Sequence, residues 1–503
     1  MSRIRLIGAN MRLTAMNRAV TVLVNLAILP FIVRHVGKDV YGVYTIVLTV
    51  TGYLGLLDFK IMSALTKYVA EYTGKGDQDR VDRIISASFS FYVLVGIAIS
   101  LMMLACGHWF TDFFQVGAEN REIVRRLFLV AAATAVLMWP SSTFRGVAQG
   151  LQLWGADSLV NIIAQLANAL GAVMLLKSGR GIVELLLLSQ SLTILGNLAL
   201  FLVSRGRARF RLRFPCLDMD TYRLIFSFSM YIFISALINI FLFQVHNLII
   251  GHFLSLSAVT VYAIAFNVQS IFRTINGSLG GPPWTIASQM EGQGDFAGQR
   301  RLLFTGTKLM SAMFVPVVVI MLFFVKPFIL TWMGPGFEES VLPARIIIFF
   351  WLFNGTSELA GSMLSAKGIV REPMFISAAV AAANMVIGVS LIRPLGVTAM
   401  AVGLSASMVL VGFPLVMRLS LRSLAVPFSE FFNRSVRPNL PLYALAAGFC
   451  GLAFRFAYPA NLIATLAEMA AAYGLALSAY YFLMLSPEER AEVHKLLGLE
   501  RRA

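Results

Sequence analysis

Tyr72–Arg83 reads YTGKGDQDRVDR and Gln289–Arg301 reads QMEGQGDFAGQRR; Gly74, Gly76 and Asp77 of the first recur 218 positions later as Gly292, Gly294 and Asp295. A doubled G-x-G-D is either a phosphate cradle used twice or the mark of a duplicated unit, and the flanking sequence decides. The spacing holds without a gap back to VYGVY (Val40–Tyr44) over AVTVY (Ala258–Tyr262) and forward to Arg83 over Arg301. Further on it drifts by two, pairing Asn168 with Asn384 and GVAQGLQLW (Gly146–Trp154) with SMLSAKGIV (Ser362–Val370). As a nucleotide loop the motif lacks the Lys-Ser/Thr pair and the preceding strand. Two glycines and an aspartate instead supply the geometry that ends one helix and opens the next. The motif is predicted to be a turn in each copy of a repeated helical unit.

The sequence around these turns is apolar. The 503 residues are 58% hydrophobic and 13% charged, with a mean hydropathy of +0.78, whereas soluble domains carry about 25% charged residues. The chain therefore belongs in a bilayer. Windows of about 20 apolar residues predict about fourteen spans, near 14–33, 40–62, 84–106, 123–142, 158–176, 182–204, 225–249, 259–280, 309–330, 344–364, 375–392, 397–419, 438–456 and 462–485. The basic N-terminus runs into the first of these without a convincing cleavage site, so a retained span is expected rather than a signal peptide.

The net charge of +16 does not point to nucleic acid, because the Lys and Arg fall mainly on one side of the predicted spans. The side that holds both termini carries more than twice as many as the other, which places both termini in the cytoplasm. The densest run, SRGRARFRLRF, with Arg205, Arg207, Arg209, Arg211 and Arg213 at alternate positions, reads as an orientation anchor on anionic headgroups. Cys106, Cys216 and Cys450 stand apart with no CxxC pair, so neither a disulfide framework nor a zinc site is readable. No Walker motif and no long extramembrane segment leaves room for an ATPase or a soluble catalytic domain; no cofactor or metal is expected.

The predicted fold is an all-α polytopic membrane protein. A repeat of six spans is even, so both copies enter the bilayer the same way. The expected organisation is an N-lobe over 1–204, a basic cytoplasmic linker over 205–224, a C-lobe over 225–420, two further helices over 421–485 and a cytoplasmic tail over 486–503. The two parallel six-helix lobes are expected to be related by pseudo-twofold symmetry. Ser486, Pro487 and Glu489 fit the N-cap, N1 and N3 positions of a surface helix in the tail.

Polar residues inside the spans gather on helix faces. Gln269, Ser270, Arg273, Asn276, Gly277 and Gly280 fall within one arc, centred on Arg273. An arginine at such depth costs about 2.5–3.5 kcal/mol, so it should meet water, an anion or an acid such as Glu358 rather than lipid. Its guanidinium suits a pyrophosphate bidentately. Asn239 and His246 lie seven apart on one helical face, and His246 could carry protons or simply bond across helices. Glu358, aligned with Asn354, Ser357 and Gly361, is the ion-coupling candidate, with a helix–helix hydrogen bond as its other reading.

In the first lobe Arg18, Thr21 and Asn25 share a stripe, as do Asn161, Gln165 and Asn168, and Gln190, Thr193 and Asn197. Such amides both donate and accept, which suits sugar hydroxyls, though amides also glue membrane helices together. Asp58 shares a face with Thr51 and Gly55, while Lys60 points nearly opposite and should snorkel to headgroups. Arg145, expected in a loop, could guide an anionic cargo. The tryptophans read mostly as interfacial anchors.

The stretch ILPFIVRHVGKDVYGVYTIVLTVTGYLGLLDFKIMSALTKYVAEYTGKGDQDR closely resembles the opening of polysaccharide flippases of the Wzx kind, in the multidrug/oligosaccharidyl-lipid/polysaccharide exporter superfamily. Gly37, Tyr41, Gly42 and Tyr44, the LLD ending in Asp58, ALTKYVAEY and the GKGD turn carry the likeness. It implies two helical lobes around a central cavity that alternates between inward and outward access in the bacterial inner membrane. The implied cargo is a polyprenyl-pyrophosphate-linked glycan, an O-antigen or exopolysaccharide unit, moved to the periplasmic leaflet with proton or sodium coupling. Arg18, Asn25, Asp58, Arg145, Asn161, Gln165, Asn239, Gln269, Arg273 and Asn276 are the candidate cargo-binding residues, with Glu358 and His246 for ion coupling. Membrane lipids and polysaccharide polymerase machinery are the expected partners, and nucleic acid is not. Lys60 stands where the family pattern suggests a small residue, and an extra helix pair is also seen in lipid II flippases. A lipid II-type flippase or a cation-coupled drug exporter of the same superfamily therefore stays open. A membrane-embedded polymerase or ligase is the remote alternative, disfavoured because the outer loops are short and lack paired His or D-x-D residues.

Overall fold

The computed structural model describes residues 3–114, 116–207, 210–216, 218–369, 371–456, 459–484 and 490. Among them every regular element is helical: α1 (Arg3–Val36), α2 (Lys38–Leu54), α3 (Ile61–Lys75), α4 (Gln78–Phe113), α5 (Ala118–Gly150), α6 (Trp154–Lys177), α7 (Ile182–Arg207), α8 (Met219–Phe243), α9 (Val245–Phe253) and α10 (Leu256–Gln293). There follow α11 (Phe296–Arg301), α12 (Thr307–Met333), α13 (Val341–Phe349), α14 (Trp351–Ala366), α15 (Arg371–Leu395), α16 (Thr398–Ser407), α17 (Phe413–Ser423), α18 (Phe428–Phe431), α19 (Leu440–Phe456) and α20 (Leu462–Ala479). Twelve stretches among the described residues are long and apolar enough to cross a membrane. Two more of the expected spans are present as the helices α8 and α19, the latter of 17 residues. The chain is an integral membrane protein that divides into two compact units, Met1–Thr260 and Val261–Ala503.

The repeated turn has the same hydrogen bonding in both units. Gly76 and Gly294 adopt left-handed φ of 73° and 69°, a region open to glycine without a Cβ penalty. Around them Gly76 N–H donates to Thr73 and Asp77 N–H to Tyr72, at 3.2 and 3.0 Å, as Gly294 does to Glu291 and Asp295 to Met290, each at 3.0 Å. These bonds close the last turn of α3 and of α10 on their orphan carbonyls. The aspartates then cap the next helices, Asp77 accepting from Arg80 N–H at 3.2 Å and Asp295 from Gly298 N–H at 2.8 Å. The second pairing holds as well: Leu151, Gln152 and Leu153 donate to Val147, Gln149 and Ala148, just as Lys367, Gly368 and Ile369 donate to Met363, Ser365 and Leu364. G-x-G-D is thus a helix-to-helix corner.

Two of the expected spans are divided. The span near 40–62 is not continuous: α2 stops at Leu54, a 3-10 turn covers Gly55–Asp58, and Phe59 and Lys60 both take positive φ, 45° and 59°. Two consecutive non-glycine residues there are strained. Asp58 supports the break by accepting Lys60 N–H at 2.6 Å. Lys60 therefore caps α3 instead of lying on the back of a straight helix, and the face shared by Asp58 with Thr51 and Gly55 is interrupted. The span near 225–249 likewise divides at Gln244 into α8 and α9.

The basic linker is more than a surface anchor. Residues 210–216 run along α4, where Arg213 N–H donates to Ser86 Oγ at 2.9 Å and Cys216 N–H to Ser90 Oγ at 3.0 Å. Phe210 is buried in the core built on Ile61, Leu65, Val69, Tyr92 and Val147. Arg209 and, apart from Arg490, the expected tail helix over 486–503 lie outside the described residues, and of Gly280 and Trp284 only the helical backbone is described.

In the second unit α12 is the central post, packed by α14, α19 and α20. Buried Asn439 fastens the last two helices to it, donating to the Lys308 carbonyl at 2.7 Å and Ser311 Oγ at 2.9 Å while accepting from the Tyr480 hydroxyl at 3.0 Å. Because the two corners share one geometry, Asp77→Ala and Asp295→Ala should each destabilise the purified protein by about 1 kcal/mol. Thermal unfolding of the two variants would show similar losses; a loss in only one would contradict equivalent caps.

Candidate functional site

The polar residues of the first unit are organised by α5. Gly146 and Gly150 of GVAQG stand four apart and let α3 approach closely: a Cβ at Gly150 would come within 2.9 Å of the Thr66 carbonyl, and one at Gly146 within 2.7 Å of Leu65. This is the small-xxx-small contact by which membrane helices gain packing. The neighbouring stripe of the same two turns carries Arg145 and Gln149 toward α6. Arg145 therefore sits inside a helix, not in a loop as the sequence suggested.

Its guanidinium is held by an acid. Arg145 Nε lies 3.0 Å from Asp157 Oδ1, with the two side chains 28% and 10% exposed, and Arg145 Nη2 donates to Asn161 Oδ1 at 2.7 Å. Gln149 donates to the other Asp157 oxygen at 3.0 Å, and Asn161 Nδ2 lies 3.4 Å from Asp157 Oδ1. One turn further on, Gln165 donates to Asn17 of α1 at 3.1 Å, within the close α1–α6 contact. Asp157, Gln149 and Asn17 complete a network of which sequence reading had named only Arg145, Asn161 and Gln165. Asp157 extends the Asn161/Gln165 stripe at intervals of four, a signal that was available, but it lies outside the apolar window used to set the span. The network is locally neutral, so Arg145 orders the amides more than it adds positive charge.

On α1, Arg18 and Asn25 are exposed and share a face at seven-residue spacing, with half-buried Thr21 bonded back to the Asn17 carbonyl at 2.8 Å. Asn239 and His246 do not share a face: Asn239 is exposed on α8, whereas His246 is fully buried on α9, which packs against α2. The division at Gln244 separates them.

In the second unit the arc on α10 has two sides. Gln269 and Asn276 are buried, while Arg273 and Gly277 are exposed and Ser270 lies between. Asn276 reaches α14 and donates to Glu358 Oε2 at 2.7 Å. Glu358 thus enters a helix–helix hydrogen bond with an amide, and Arg273 keeps to the outer edge of the same arc. Outside the spans, the Glu291 carboxyl is held below its usual range by the Gln299 amide and then by Lys367, whose ammonium is 3.2 Å away.

Two compact helical units joined in one chain, each with polar faces at membrane depth, describe a transport fold. Residues 7–280, more than half of the chain, match the family described as polysaccharide biosynthesis protein. The chain belongs to that family. Residues 232–390 also match the MatE family. A Shigella flexneri protein named "Putative O-antigen transporter" is 19% identical over 356 residues, covering 70% of this chain and 82% of that protein. Among solved structures, lipid II flippase MurJ in an inward closed conformation aligns at a TM-score of 0.70 and 13% identity, over 94% of this chain and 98% of its own. An inward-facing multidrug resistance MATE family transporter of the MOP superfamily aligns at 0.64 and 13%, over 83% and 98%. The protein is a membrane transporter of the polysaccharide-flippase type in the MOP superfamily.

In this transporter the Arg145–Asp157 pair should couple energetically. Arg145→Ala and Asp157→Ala each leave a half-buried charge alone, so the double variant should be less destabilised than the sum of the singles by about 1–3 kcal/mol. Additive losses in thermal unfolding would contradict the network.

Proposed function

We propose that the protein moves a polyprenyl-pyrophosphate-linked oligosaccharide, an O-antigen or exopolysaccharide repeat unit, from the cytoplasmic to the periplasmic leaflet of the bacterial inner membrane. The observation that carries the reading is the pair of exposed arginines within apolar spans, Arg18 near the start of the span of α1 and Arg273 about one turn from the end of the span of α10. Lipid penalises a guanidinium by about 2.5–3.5 kcal/mol at the centre of a span and less toward its ends, so exposed arginines inside apolar spans suit a wet face that can receive an anion. A pyrophosphate takes a guanidinium bidentately. Asn25, Asn161, set in place by Arg145, and Gln165 offer donors and acceptors to sugar hydroxyls, as does exposed Asn239, while Gln269 and Asn276 are buried and stand behind the exposed face of α10. Asp58, at the broken end of α2, joins the cargo-facing group. The family match and the O-antigen transporter relative support a glycan cargo.

The transport is secondary-active, by alternating access, with no chemistry performed on the cargo. Glu358 is the coupling carboxylate for a proton or sodium ion, its Asn276 bond being the contact that ion binding would loosen; His246 is the second candidate. Both termini lie in the cytoplasm, and the exported unit passes to polysaccharide polymerase machinery. A cation exporter fits less well, since the exposed charges at depth are arginines.

In a flippase-null strain, the wild-type chain should restore surface polysaccharide. Arg273→Ala should abolish restoration at an unchanged level of protein in the membrane, and Arg273→Lys, which keeps charge but loses the fork, should restore only part of it. Full polymer from Arg273→Ala would overturn the assignment of that residue. Failure of the wild-type chain with every lipid-linked glycan offered would overturn the function.

A further inference from the structure

The second unit carries a basic cavity that the transport reading does not use. About 690 Å³ in volume, it opens beside the Asp295 corner and is lined by Arg300 and Arg301 of α11, Lys308 of α12 and Arg434. Glu430 is its acid, 3.3 Å from Arg434, so four cations face one carboxylate. Arg300 is fixed without being neutralised: its Nε donates to the Leu424 carbonyl at 2.8 Å and its Nη2 to the Ala425 carbonyl at 3.3 Å. Ala425 holds that carbonyl at a positive φ of 50°, a strained setting for a residue with a Cβ. Both walls contain a π turn, Leu302–Gly306 and Phe432–Val436, the wide helical form that recurs at functional sites.

The first unit supplies an internal control. At the 218-residue spacing, Arg300, Phe304 and Lys308 correspond to Asp82, Ser86 and Ser90. There the serines are occupied by residues 210–216, whose backbone donates to Ser86 and Ser90. In the second unit the same helical face carries Arg300, Phe304 and Lys308 in place of Asp82, Ser86 and Ser90 and opens onto a cavity. The corresponding segment of the second unit reaches this surface through Leu424 and Ala425 but lines the cavity with Glu430 and Arg434 instead of filling it.

We propose that this cavity binds a phosphate group, and that its source is the headgroup of an anionic phospholipid in the leaflet at that end of the unit. Guanidinium forks and an ammonium match phosphate oxygens in number and charge. Phe296 lines the cavity and is 59% exposed, and Phe428 and Phe432, beside Arg434, are also exposed. Aromatic rings flanking arginines suit the boundary between headgroup and acyl chain, which a soluble phosphate would not require.

The test titrates the purified full-length protein in neutral detergent with short-chain phosphatidylglycerol, with phosphatidylcholine of the same chains and inorganic phosphate as comparators. Phosphatidylglycerol should bind in preference to phosphatidylcholine. Arg301→Gln and Arg434→Gln should each weaken it about fivefold. Arg301→Lys, which keeps the charge but loses the fork, should weaken binding less than Arg301→Gln, and Glu430→Gln, which removes the opposing acid, should tighten it. The opposite signs at Glu430 and Arg301 separate a binding role from a loss of folding. Equal affinity for phosphatidylcholine, or glutamine variants that bind as wild type does, would overturn the site. Displacement of the lipid by inorganic phosphate at matching concentration would overturn the lipid source.

Discussion

Hydrocarbon offers no hydrogen bonds, so every polar group carried to membrane depth must bring its partner or keep its water. The Arg145–Asp157 pair is the clearest consequence in the first unit. A lone arginine there would be costly, and a lone aspartate equally so, yet the two pair at 3.0 Å and are joined by hydrogen bonds from Gln149 and to Asn161 between α5 and α6. The packing follows from the same demand: α3 closes on Gly146 and Gly150, which turns the adjacent stripe toward α6 and brings the guanidinium to its acid. Asn439 performs the equivalent task in the second unit, where one buried amide meets a carbonyl and two hydroxyls and ties α19 and α20 to α12.

Duplication preserved the corners and released the sites. The glycine-aspartate turns and the loops around Gln152 and Gly368 repeat bond for bond. The polar network does not: at the drifted spacing of 216, Arg145, Asp157 and Asn161 fall on Gly361, Pro373 and Ser377. In the other direction, at the undrifted spacing of 218, Arg273 and Asn276 fall on Gly55 and Asp58, where the first unit breaks its helix. Backbone geometry is shared because each unit needs the same reversals. That contrast separates the frame of the molecule from its working surface.

The frame was legible in the sequence because bilayer thickness and turn chemistry leave strong signals. Apolar windows located the helices, and G-x-G-D announced its own corner. The site was harder to read, and particular residues show why. Asp157 fell outside an apolar window because the first turn of α6 is polar, and apolarity alone is a poor guide to where such a helix begins. Arg145 was assigned to a loop for the same reason, although α5 runs on to Gly150. Asn239 and His246 match an ideal helical period, but the period fails where Gln244 interrupts the helix. The strained Phe59–Lys60 step carries no glycine or proline to announce it. Such breaks are set by tertiary bonds, among them Ser229 Oγ to the Lys60 carbonyl at 3.4 Å, which no local pattern encodes.

The central claim is that the exposed polar faces of α1 and α10 meet water and not acyl chains. Single cysteines at Arg18, Asn25 and Arg273, in a chain with Cys106, Cys216 and Cys450 replaced by serine, can be challenged with a membrane-impermeant maleimide from either side of the membrane. Cysteines at Met174, Leu202 and Val386, exposed apolar positions within α6, α7 and α15, serve as the lipid-facing reference. Labelling at the polar positions with none at the reference positions is the predicted result. Protection of Arg18, Asn25 and Arg273 to the same degree as Met174, Leu202 and Val386 would contradict the account.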